Sequence, residues 1–435
     1  MSASLVGSEM CIRDRNKIVY DAMSDAYTAY HAADNAAAIL VKNGYKELFE
    51  HEDMKFERGG KYFIRRGGSA LIAVNIGDIS YYNYKIVASH LDSPALKLKY
   101  SPVVKTGNMG KLNVETYGGG IISTFLDVPL SIAGKIYVKR NNEIAALTYP
   151  DPHVYVIPNV AIHMNRALGD GYKYNLQTDL MPLFGLNADE NYFNVLTGEE
   201  TVGYDLFAVR ATKPFFAGVH DEFYCAPRID NQVCAFSSIA ALTESNVRGV
   251  AVAFLADNEE IGSKTAEGAD SDFLKKTLKA INKSLGMDRT AFDKAVARSL
   301  MVSADNAHAT HPNQPQLSDP TNSSVMGGGI VIKHHANKNY TTDGLSSALF
   351  EQIMKAAGVK TQHFFMRSDL RCGSTLGAIS LSQLALKSVD IGLAQLAMHS
   401  SLETMCADDT DAMVNGLKAF YEAHFERTES GYKLQ

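Results

Sequence analysis

Two adjacent glutamates, Glu259 and Glu260, follow an apolar, β-prone run over residues 249–255 that is typical of a buried strand in a parallel sheet. Carboxylates placed directly after such a strand are costly unless something compensates their charge. Two bound metal ions would compensate it, and so would a polar loop that is open to water. The segment 257–263, DNEEIGS, therefore leaves a metal site and a solvated loop as open interpretations.

Three other apolar runs also end in a side chain that can bind a metal: His90, Asp305 and His399. A further carboxylate, Asp230, stands just before a predicted helix. Ligands of open α/β sheets bind at the carboxyl ends of the strands, so parallel strands would bring these groups to one edge. A single histidine after a strand is usually structural, but repetition on separate strands makes coincidence a poor explanation. We therefore expect one shared site.

Two histidines and three carboxylates form a ligand set that zinc and similar metals accept. Zn²⁺ binds histidine nitrogen and carboxylate oxygen at roughly 2.0–2.2 Å. The set is too large for one open catalytic zinc and suits two ions about 3.5–4 Å apart, bridged by a carboxylate and a water. We predict two divalent ions per chain, zinc first, with manganese and cobalt as alternatives. One of the adjacent glutamates can then bind metal while the other stays free as a general base.

The elements that must position these residues follow an α/β pattern. Residues 18–45 are predicted to be helical, and residues 84–88 to form a buried strand that runs into His90. Residues 388–397 are predicted to form one sheet segment that leads to His399. The predicted fold class is α/β, with a mixed, largely parallel sheet flanked by helices.

The character of the chain changes between residues 96 and 221, where helical periodicity becomes scarce. Glycine and proline separate short β-prone runs such as 134–138 and 153–157. The triple glycine 118–120 lacks the spacing of a phosphate-binding loop. It predicts a turn or a close approach of the backbone instead.

These changes predict a domain division. A catalytic domain over residues 16–95 and 222–435 is interrupted by a β-rich domain at 96–221, for which the family resemblance described below implies a role in oligomerisation. Residues 1–15 contain the string SEMCIRDR, which is typical of translated adapter sequence. We interpret residues 1–15 as a sequence artefact or a disordered segment and leave them out of the fold argument.

The composition of the chain argues against some classes of function. The chain has 435 residues, 46% of them hydrophobic, and a formal net charge of −6, which does not favour binding to nucleic acid or to an anionic membrane. The five cysteines form no CxxC pair, which fits reduced thiols in a cytoplasmic protein. Cys372 lies near candidate site residues in the sequence, but we interpret it as a small buried residue.

Ten strings of the sequence resemble one family, the aspartyl aminopeptidases or M18 metallopeptidases. The resemblance extends from about Tyr27 to the C-terminus. Seven strings lie in the predicted catalytic domain: SHLDSP, RIDNQ, ADNEEIGS, SADNAHATHPN, VIKHHANKNYTTDG, RSDLRCGSTLG and DIGLAQLAMHS. Three lie in the inserted region: ETYGGGIISTFLD, LSIAGKIYV and IPNVAIHMNR. The family implies a two-metal aminopeptidase fold with an inserted dimerisation domain.

The resemblance implies a role for each candidate residue of the metal site. His90 and Asp305 would bind one ion, and Glu260 and His399 the other. Asp230 would bridge the two ions. Glu259 would be the general base that activates a water held between the ions, and Asp92 would orient the His90 ring. From the residues alone, Asp92 could also be a turn residue before Pro94.

The resemblance also implies how the substrate is bound. His163 and His308 would contact the substrate or stabilise the transition state, and His163 would reach the active site of a neighbouring subunit in a tetrahedral dodecamer. Lys333 and Tyr340 would form part of the substrate pocket. From the residues alone, a lone histidine such as His308 is usually on the surface, with His311, His334 and His335 as rivals. Lys333 could equally pair with a structural acid.

The predicted activity is removal of N-terminal residues, preferably Asp or Glu, from peptides. Two departures from the family pattern leave this preference open: Ile121–Phe125 replaces an aromatic-rich stretch, and Leu370–Arg371 stands before CGST. The alternatives are a neutral, Leu-type preference, membership of the related M42 group, and an inactive scaffold. The longer insert favours M18 over M42, and the complete set of candidate ligands and base argues against the scaffold.

Overall fold

The computed structural model describes residues 16–187 and 198–435. The interpretation of residues 1–15 as an artefact lies outside the described residues. Nowhere in those two ranges is a helix long and apolar enough to cross a membrane.

The centre of the fold is a mixed sheet. Among the described residues nine strands form it, in the order β1-β2-β3-β13-β4-β14-β18-β16-β17. Five of the neighbouring pairs are parallel and three are antiparallel. The strands are β1 (Lys46–Leu48), β2 (Lys61–Arg66), β3 (Ala70–Ile76), β4 (Tyr84–His90), β13 (Val250–Ala256), β14 (Leu300–Ala304), β16 (Ile330–His334), β17 (Thr361–Phe365) and β18 (Lys387–Gly392).

Four adjacent strands, β13, β4, β14 and β18, run parallel, and the first three lead into predicted site residues at their carboxyl ends. In register, Ala256 at the end of β13 pairs with His90 at the end of β4. Both strands are buried along their whole length. Strands covered by helices on both faces are apolar at nearly every position, which explains the continuous hydrophobic runs in the sequence.

Helices cover both faces of this sheet. One face packs against α1, α2, α3, α6 and α8, and the other against α4, α5 and α7. The helices are α1 (16–24), α2 (Ala29–Lys42), α3 (Ile229–Glu244), α4 (Phe273–Ser284), α5 (Arg289–Ala297), α6 (Gly344–Ala356), α7 (Leu376–Gln383) and α8 (Asp409–Glu422). Successive residues of β4 pack on opposite faces of the sheet: Val87 packs on the first face and Ile86 on the second. The predicted α/β class is confirmed.

Most of the stretch predicted to be helical, residues 18–45, is helical, but it is divided into two helices. The structure has two helices, α1 and α2, separated by residues 25–28. Thr28 has an extended backbone (φ −140°, ψ 171°), so a new helix starts at Ala29. Because an extended residue interrupts the helical hydrogen bonds, α1 does not continue into α2.

A second sheet lies within the inserted region. Six described strands form it, all paired antiparallel, in the order β8-β7-β10-β5-β6-β9. They are β5 (Ala95–Thr106), β6 (Met109–Tyr117), β7 (Leu130–Arg140), β8 (Glu143–Pro150), β9 (Leu183–Leu186) and β10 (Thr201–Arg210). The sheet has its own apolar core, which includes Leu112, Ile136 and Leu206. The division into a catalytic and an oligomerisation domain stays a prediction.

The β-prone run over residues 153–157 forms no regular strand. Only isolated bridges occur there, Leu130 with Tyr155 and Val156 with Leu183. The Asp151 side chain accepts hydrogen bonds from the His153 backbone N–H and from the Tyr155 hydroxyl. These local bonds hold the segment as a turn rather than as a regular strand.

The prediction of one sheet segment over residues 388–397 is also wrong. β18 ends at Gly392, and the chain continues as β19 (Ala394–Leu396) in a different sheet. A Cβ atom at Gly392 would lie 2.0 Å from the carbonyl oxygen of Asp305, so the chain crosses the Asp305 loop where only glycine fits. His399 therefore follows β19 and not a strand of the central sheet.

The remaining described strands complete two smaller sheets. The five-stranded one has the order β11-β12-β20-β19-β15, and β21 pairs with β22 near the C-terminus. Their strands are β11 (Phe215–Ala217), β12 (Phe223–Ala226), β15 (Ala307–His308), β20 (Glu403–Cys406), β21 (Phe425–Arg427) and β22 (Tyr432–Leu434). The five-stranded sheet lies against the carboxyl edge of the central sheet, where β15 follows β14.

Candidate metal centre

Five predicted ligands meet at the carboxyl edge of the central sheet. One donor atom each from His90, Asp230 and Glu260 lies within 4.8 Å of the others. Nε2 of His90 is 3.7 Å from an Oδ1 atom of Asp230 and 3.7 Å from one of Asp305. Nε2 of His399 is 3.2 Å from Oδ2 of Asp230 and 3.4 Å from Oε1 of Glu260.

Asp230 lies between two pairs of donors. Its Oδ1 atom faces His90, and its Oδ2 atom faces His399. Each histidine also has a second carboxylate beside it, Asp305 in one pair and Glu260 in the other. A carboxylate shared in this way between two His–carboxylate pairs is the arrangement that bridges two ions in two-metal sites.

Each donor is carried by a different part of the chain. His90 ends β4, Asp305 follows β14, and Asp230 stands in the first turn of α3 with a non-helical backbone (φ −80°, ψ 107°). Glu260 lies in a short 3₁₀ turn over Glu259–Ile261. His399 has a left-handed backbone (φ 68°), a sparsely populated conformation that needs support from its surroundings.

The donor set fits metal ions. Buried oxygens Oδ1 of Asp230 and Oε1 of Glu260 accept no hydrogen bond from any described residue. The one ammonium that the described ion pairs place beside a predicted ligand is that of Lys333, 4.0 Å from Oδ2 of Asp305. Buried carboxylates without donors are costly, and divalent cations between them would supply the missing partners.

The pKa values of Glu259, Glu260 and His399 are raised, as expected where negative charge is in excess. Burial raises the pKa of Glu259 to about 8, and the carboxylates of Asp305, Asp92 and Asp230 add to the shift. Burial and the Asp230 charge raise the pKa of Glu260 well above its usual range. Although burial opposes it, the hydrogen bond with Asp230 and the charge of Glu260 raise the pKa of His399 to about 10.

Asp92 contacts more of the site than the sequence predicted. The Nδ1–H of His90 donates to the Asp92 carbonyl oxygen at 3.0 Å, which leaves Nε2 facing the other donors. The Asp92 carboxylate lies 3.4 Å from the same ring and accepts the backbone N–H groups of Glu259 and Glu260, both at 3.1 Å. Asp92 therefore fixes both the His90 ring and the turn that carries the two glutamates.

The inserted region supports the site through residues that sequence reasoning missed. The Tyr117 hydroxyl donates to the Asp92 carboxylate at 2.8 Å. The Gly119 carbonyl accepts from Nδ1 of His399 at 3.1 Å. A Cβ atom at Gly118 (φ 72°) would lie 3.1 Å from Cβ of Glu260. The triple glycine is thus a close backbone approach, the second of the two interpretations offered for its sequence.

Glu403 is a further residue that sequence reasoning missed. Its carboxylate is buried and accepts the backbone N–H groups of Asp230 at 2.9 Å and His399 at 2.7 Å. Burial, together with the Asp230 charge, raises its pKa to about 8. Its position four residues after His399 was the only available signal, because Asp230 is 173 residues away in the chain.

The predicted substrate residues differ in exposure: Lys333 and Tyr340 are buried, whereas His308 is exposed. Lys333 is fully buried, and its ammonium donates to the carbonyl oxygens of Asp305 at 2.7 Å and Asn306 at 3.2 Å. Its ammonium also lies 5.0 Å from the centre of the Tyr340 ring. His308 is exposed on β15, beside the Asp305 loop. Lys333 thus contacts the backbone of a predicted ligand rather than open space.

Two other sequence candidates lie outside the donor cluster. His163 is exposed on a turn of the inserted region. Within residues 16–187 and 198–435, none of the contacts that hold the site involves His163. Cys372 is buried and forms no disulfide bond with another described cysteine. Burial raises the pKa of its thiol. It packs in a small cluster with Tyr340, as expected of a structural residue.

A cavity of about 630 Å³ lies between the inserted sheet and the back of the site. Asp92, Tyr117 and Glu403 contribute to its wall, but none of the five predicted ligands is among the described residues that line it. The cavity therefore borders the groups that support the ligands.

Comparison with known proteins identifies the family. A family model described as "Aminopeptidase I zinc metalloprotease (M18)" matches residues 23–421. The chain is 38% identical over 426 residues to a probable M18 family aminopeptidase 2 of Clostridium acetobutylicum, a match that covers 93% of this chain and 98% of that protein. A relative with the same description from Clostridium novyi is 37% identical over 430 residues, covering 94% and 99%.

Comparison with solved structures supports the same family. The chain resembles a protein in the "Ape4 and Nbr1 complex" with a TM-score of 0.91 and 30% identity, covering 97% of this chain and 87% of that one. It resembles the "mApe1 dodecamer" of S. cerevisiae with a TM-score of 0.81 and 25% identity, covering 94% and 96%. The resemblance read from the sequence is confirmed: this chain belongs to the M18 aminopeptidase family of zinc metalloproteases.

Proposed function

We propose that this chain is a two-metal aminopeptidase that releases N-terminal residues, preferably Asp or Glu, from peptides. The observation that carries the proposal is the position of Asp230, whose two carboxylate oxygens face two separate His–carboxylate pairs. His90 with Asp305 would hold one ion, Glu260 with His399 the other, and Asp230 would bridge them. When bound, the ions would polarise the scissile carbonyl and make water a better nucleophile.

Glu259 would move the proton in this reaction. Its backbone N–H binds Asp92, while its carboxyl group lies close enough to His90 and Asp305 for their charges to shift its pKa. With bound cations offsetting the neighbouring negative charge, a carboxylate at this position is suited to accept a proton from the attacking water and to deliver it to the leaving amine. His163 of a neighbouring subunit would stabilise the developing oxyanion.

Glu259→Gln tests the role of the base. The substitution keeps the size of the side chain and removes its ability to accept a proton. We expect turnover to fall by at least about 100-fold, the lower end of what general bases contribute, while zinc content and fold stay normal. Glu429→Gln changes an exposed glutamate and serves as the matched control. Near-normal activity in a zinc-loaded Glu259→Gln protein would refute the role.

One observation favours a second candidate, an aminopeptidase with a neutral, Leu-type preference. The Lys333 ammonium is fully buried and bonded to two backbone carbonyls, which limits its value as a partner for an acidic substrate side chain. A panel of Asp, Glu, Leu and Lys chromogenic substrates separates the candidates. Higher kcat/KM for Asp and Glu supports the acidic preference, and higher kcat/KM for Leu supports the neutral one.

We also propose that the protein assembles as a homo-oligomer like the mApe1 dodecamer, with His163 completing a neighbour's site. Its exposure in the inserted region is compatible with this role. Co-expression of His163→Ala with Glu259→Gln tests it, because each variant supplies the residue that the other lacks. We expect two inactive homo-oligomers and an active mixed one. An inactive mixed assembly, or a fully active monomer in light scattering, would contradict the proposal.

A further inference from the structure

Glu403 makes an unusual set of contacts for a buried carboxylate. It begins β20, is 2% exposed, and has no Lys or Arg partner among the described ion pairs. Its Oε2 atom accepts the backbone N–H of Asp230 at 2.9 Å. Its Oε1 atom accepts the backbone N–H of His399 at 2.7 Å and the side-chain amide of Gln395 at 3.2 Å.

The two backbone donors belong to residues whose side chains meet in the site. Nε2 of His399 lies 3.2 Å from Oδ2 of Asp230. The His399 backbone is left-handed, a conformation that needs external support, and the Asp230 backbone is extended where it enters a helix, so its N–H has no helical partner. A buried carboxyl group that accepts both N–H groups ties the two backbones to one side chain, and removing an acceptor would leave a buried N–H without a partner, which is costly.

We propose that Glu403 is a positioning residue that fixes the distance between Asp230 and His399 and thereby sets the affinity of the second metal subsite, formed by Asp230, Glu260 and His399. Glu403 touches neither substrate nor ion in this proposal and acts through the two backbones. Groups that orient metal ligands typically change metal affinity by 10- to 100-fold when they are altered. The inference rests on the proposed two-metal function.

The chain supplies a matched control in Asp409. This carboxylate is also 2% exposed and also accepts two backbone N–H groups, from Gly327 at 2.8 Å and Gly329 at 2.9 Å. It lies at the start of α8, away from the donor cluster. Glu403→Gln and Asp409→Asn each exchange one carboxylate oxygen for an amide that cannot accept an N–H. The two variants therefore make the same chemical change in two places.

Calorimetric titration of metal-free protein with Zn²⁺, in the presence of a competing chelator, tests the proposal. We expect Glu403→Gln to bind the second zinc at least about 10-fold more weakly, with a smaller loss at the first, because Asp230 also faces His90. Asp409→Asn should bind both ions as the wild type does, although the melting temperatures of the two metal-free variants fall by similar amounts. Two ions bound by Glu403→Gln with wild-type affinity would overturn the inference.

A second variant and the wild type keep the outcomes distinct. Glu403→Asp retains the charge but is one methylene too short to reach both N–H groups, so we expect the same selective loss of zinc affinity. If both Glu403 variants fail to fold while Asp409→Asn folds, Glu403 supports the fold rather than the subsite, and the inference is wrong. If the wild type binds no zinc, the proposed function itself fails.

Discussion

The two halves of the candidate site are held in different ways. The sheet half, His90 and Asp305, extends directly from neighbouring parallel strands, and the His90 side chain is 1% exposed. The loop half, Glu260 and His399, lies on turns, and the His399 side chain is 33% exposed. The sheet half is therefore fixed by the core, whereas the loop half depends on contacts made by other segments.

The inserted region contacts the loop half directly. The Gly119 carbonyl orients the His399 ring, and the Ile121 N–H donates to the His399 carbonyl at 2.9 Å. Gly118 packs against Glu260. The difference between the halves shows that the inserted segment reaches His90 only through Asp92, whereas it contacts Glu260 and His399 directly. Changes in the insert should therefore affect one half more than the other.

Asp230→Asn should have the largest effect, because Asp230 belongs to both halves. Losing its charge removes the bridge between the two pairs, and metal catalysis is worth several kcal/mol. At about 1.4 kcal/mol per tenfold change, we expect kcat/KM to fall by about 1,000-fold or more, with zinc content well below that of the wild type. An Asp230→Asn variant that keeps both ions and near-normal kcat/KM would show that Asp230 does not link the two halves.

Asp92→Asn should weaken both halves to a smaller extent. Asp92 binds the His90 ring and the Glu259–Glu260 backbone, so an amide there disturbs one ligand of each half. We expect zinc affinity to fall by about 10- to 100-fold. Tyr117→Phe, which removes one donor to Asp92, should have a smaller effect of the same kind. Loss confined to one ion would show that Asp92 serves a single half.

Gly118→Ala should separate the halves. The added Cβ would press on Glu260, so we expect the loop half to bind zinc about 10-fold more weakly while the sheet half is unchanged. Gly107→Ala is the matched control, because Gly107 also has a positive φ (60°) in the inserted region but no atom within 4 Å of the added Cβ. Equal effects of the two variants on zinc binding would indicate backbone strain alone.

A pH effect on folding, with its origin outside both halves, should be the smallest. Burial lowers the pKa of His31 on α2 to about 4. The unfolded chain, with an ordinary pKa near 6.5, then binds more protons between pH 6.5 and 4, so stability is lost as the pH falls through this window. By pH 5.5 the expected loss is about 1.4 kcal/mol relative to pH 7.5. Urea unfolding of wild type and His31→Gln checks this: the variant should lose less stability on acidification, and identical losses would rule His31 out.

The sequence predicted the sheet half more completely than the loop half. Apolar runs that end in His90 and Asp305 are local signals, and parallel strands necessarily bring their carboxyl ends together. The position of His399 was predicted from the wrong strand, because the chain changes sheets at Gly392. Gly119 and His399 are 280 residues apart, and no spacing rule connects them. The supporting roles of Tyr117, Gly119 and Glu403 therefore required the structure.

The most direct test of the central claim is the zinc stoichiometry of three purified proteins: wild type, His90→Ala and His399→Ala. The account predicts two ions per wild-type chain and one in each variant, because each histidine belongs to a different half around Asp230. Native mass spectrometry or elemental analysis after removal of loosely bound metal gives the answer. A wild type with a single ion, or variants that both keep two, would contradict the division of the site into two halves.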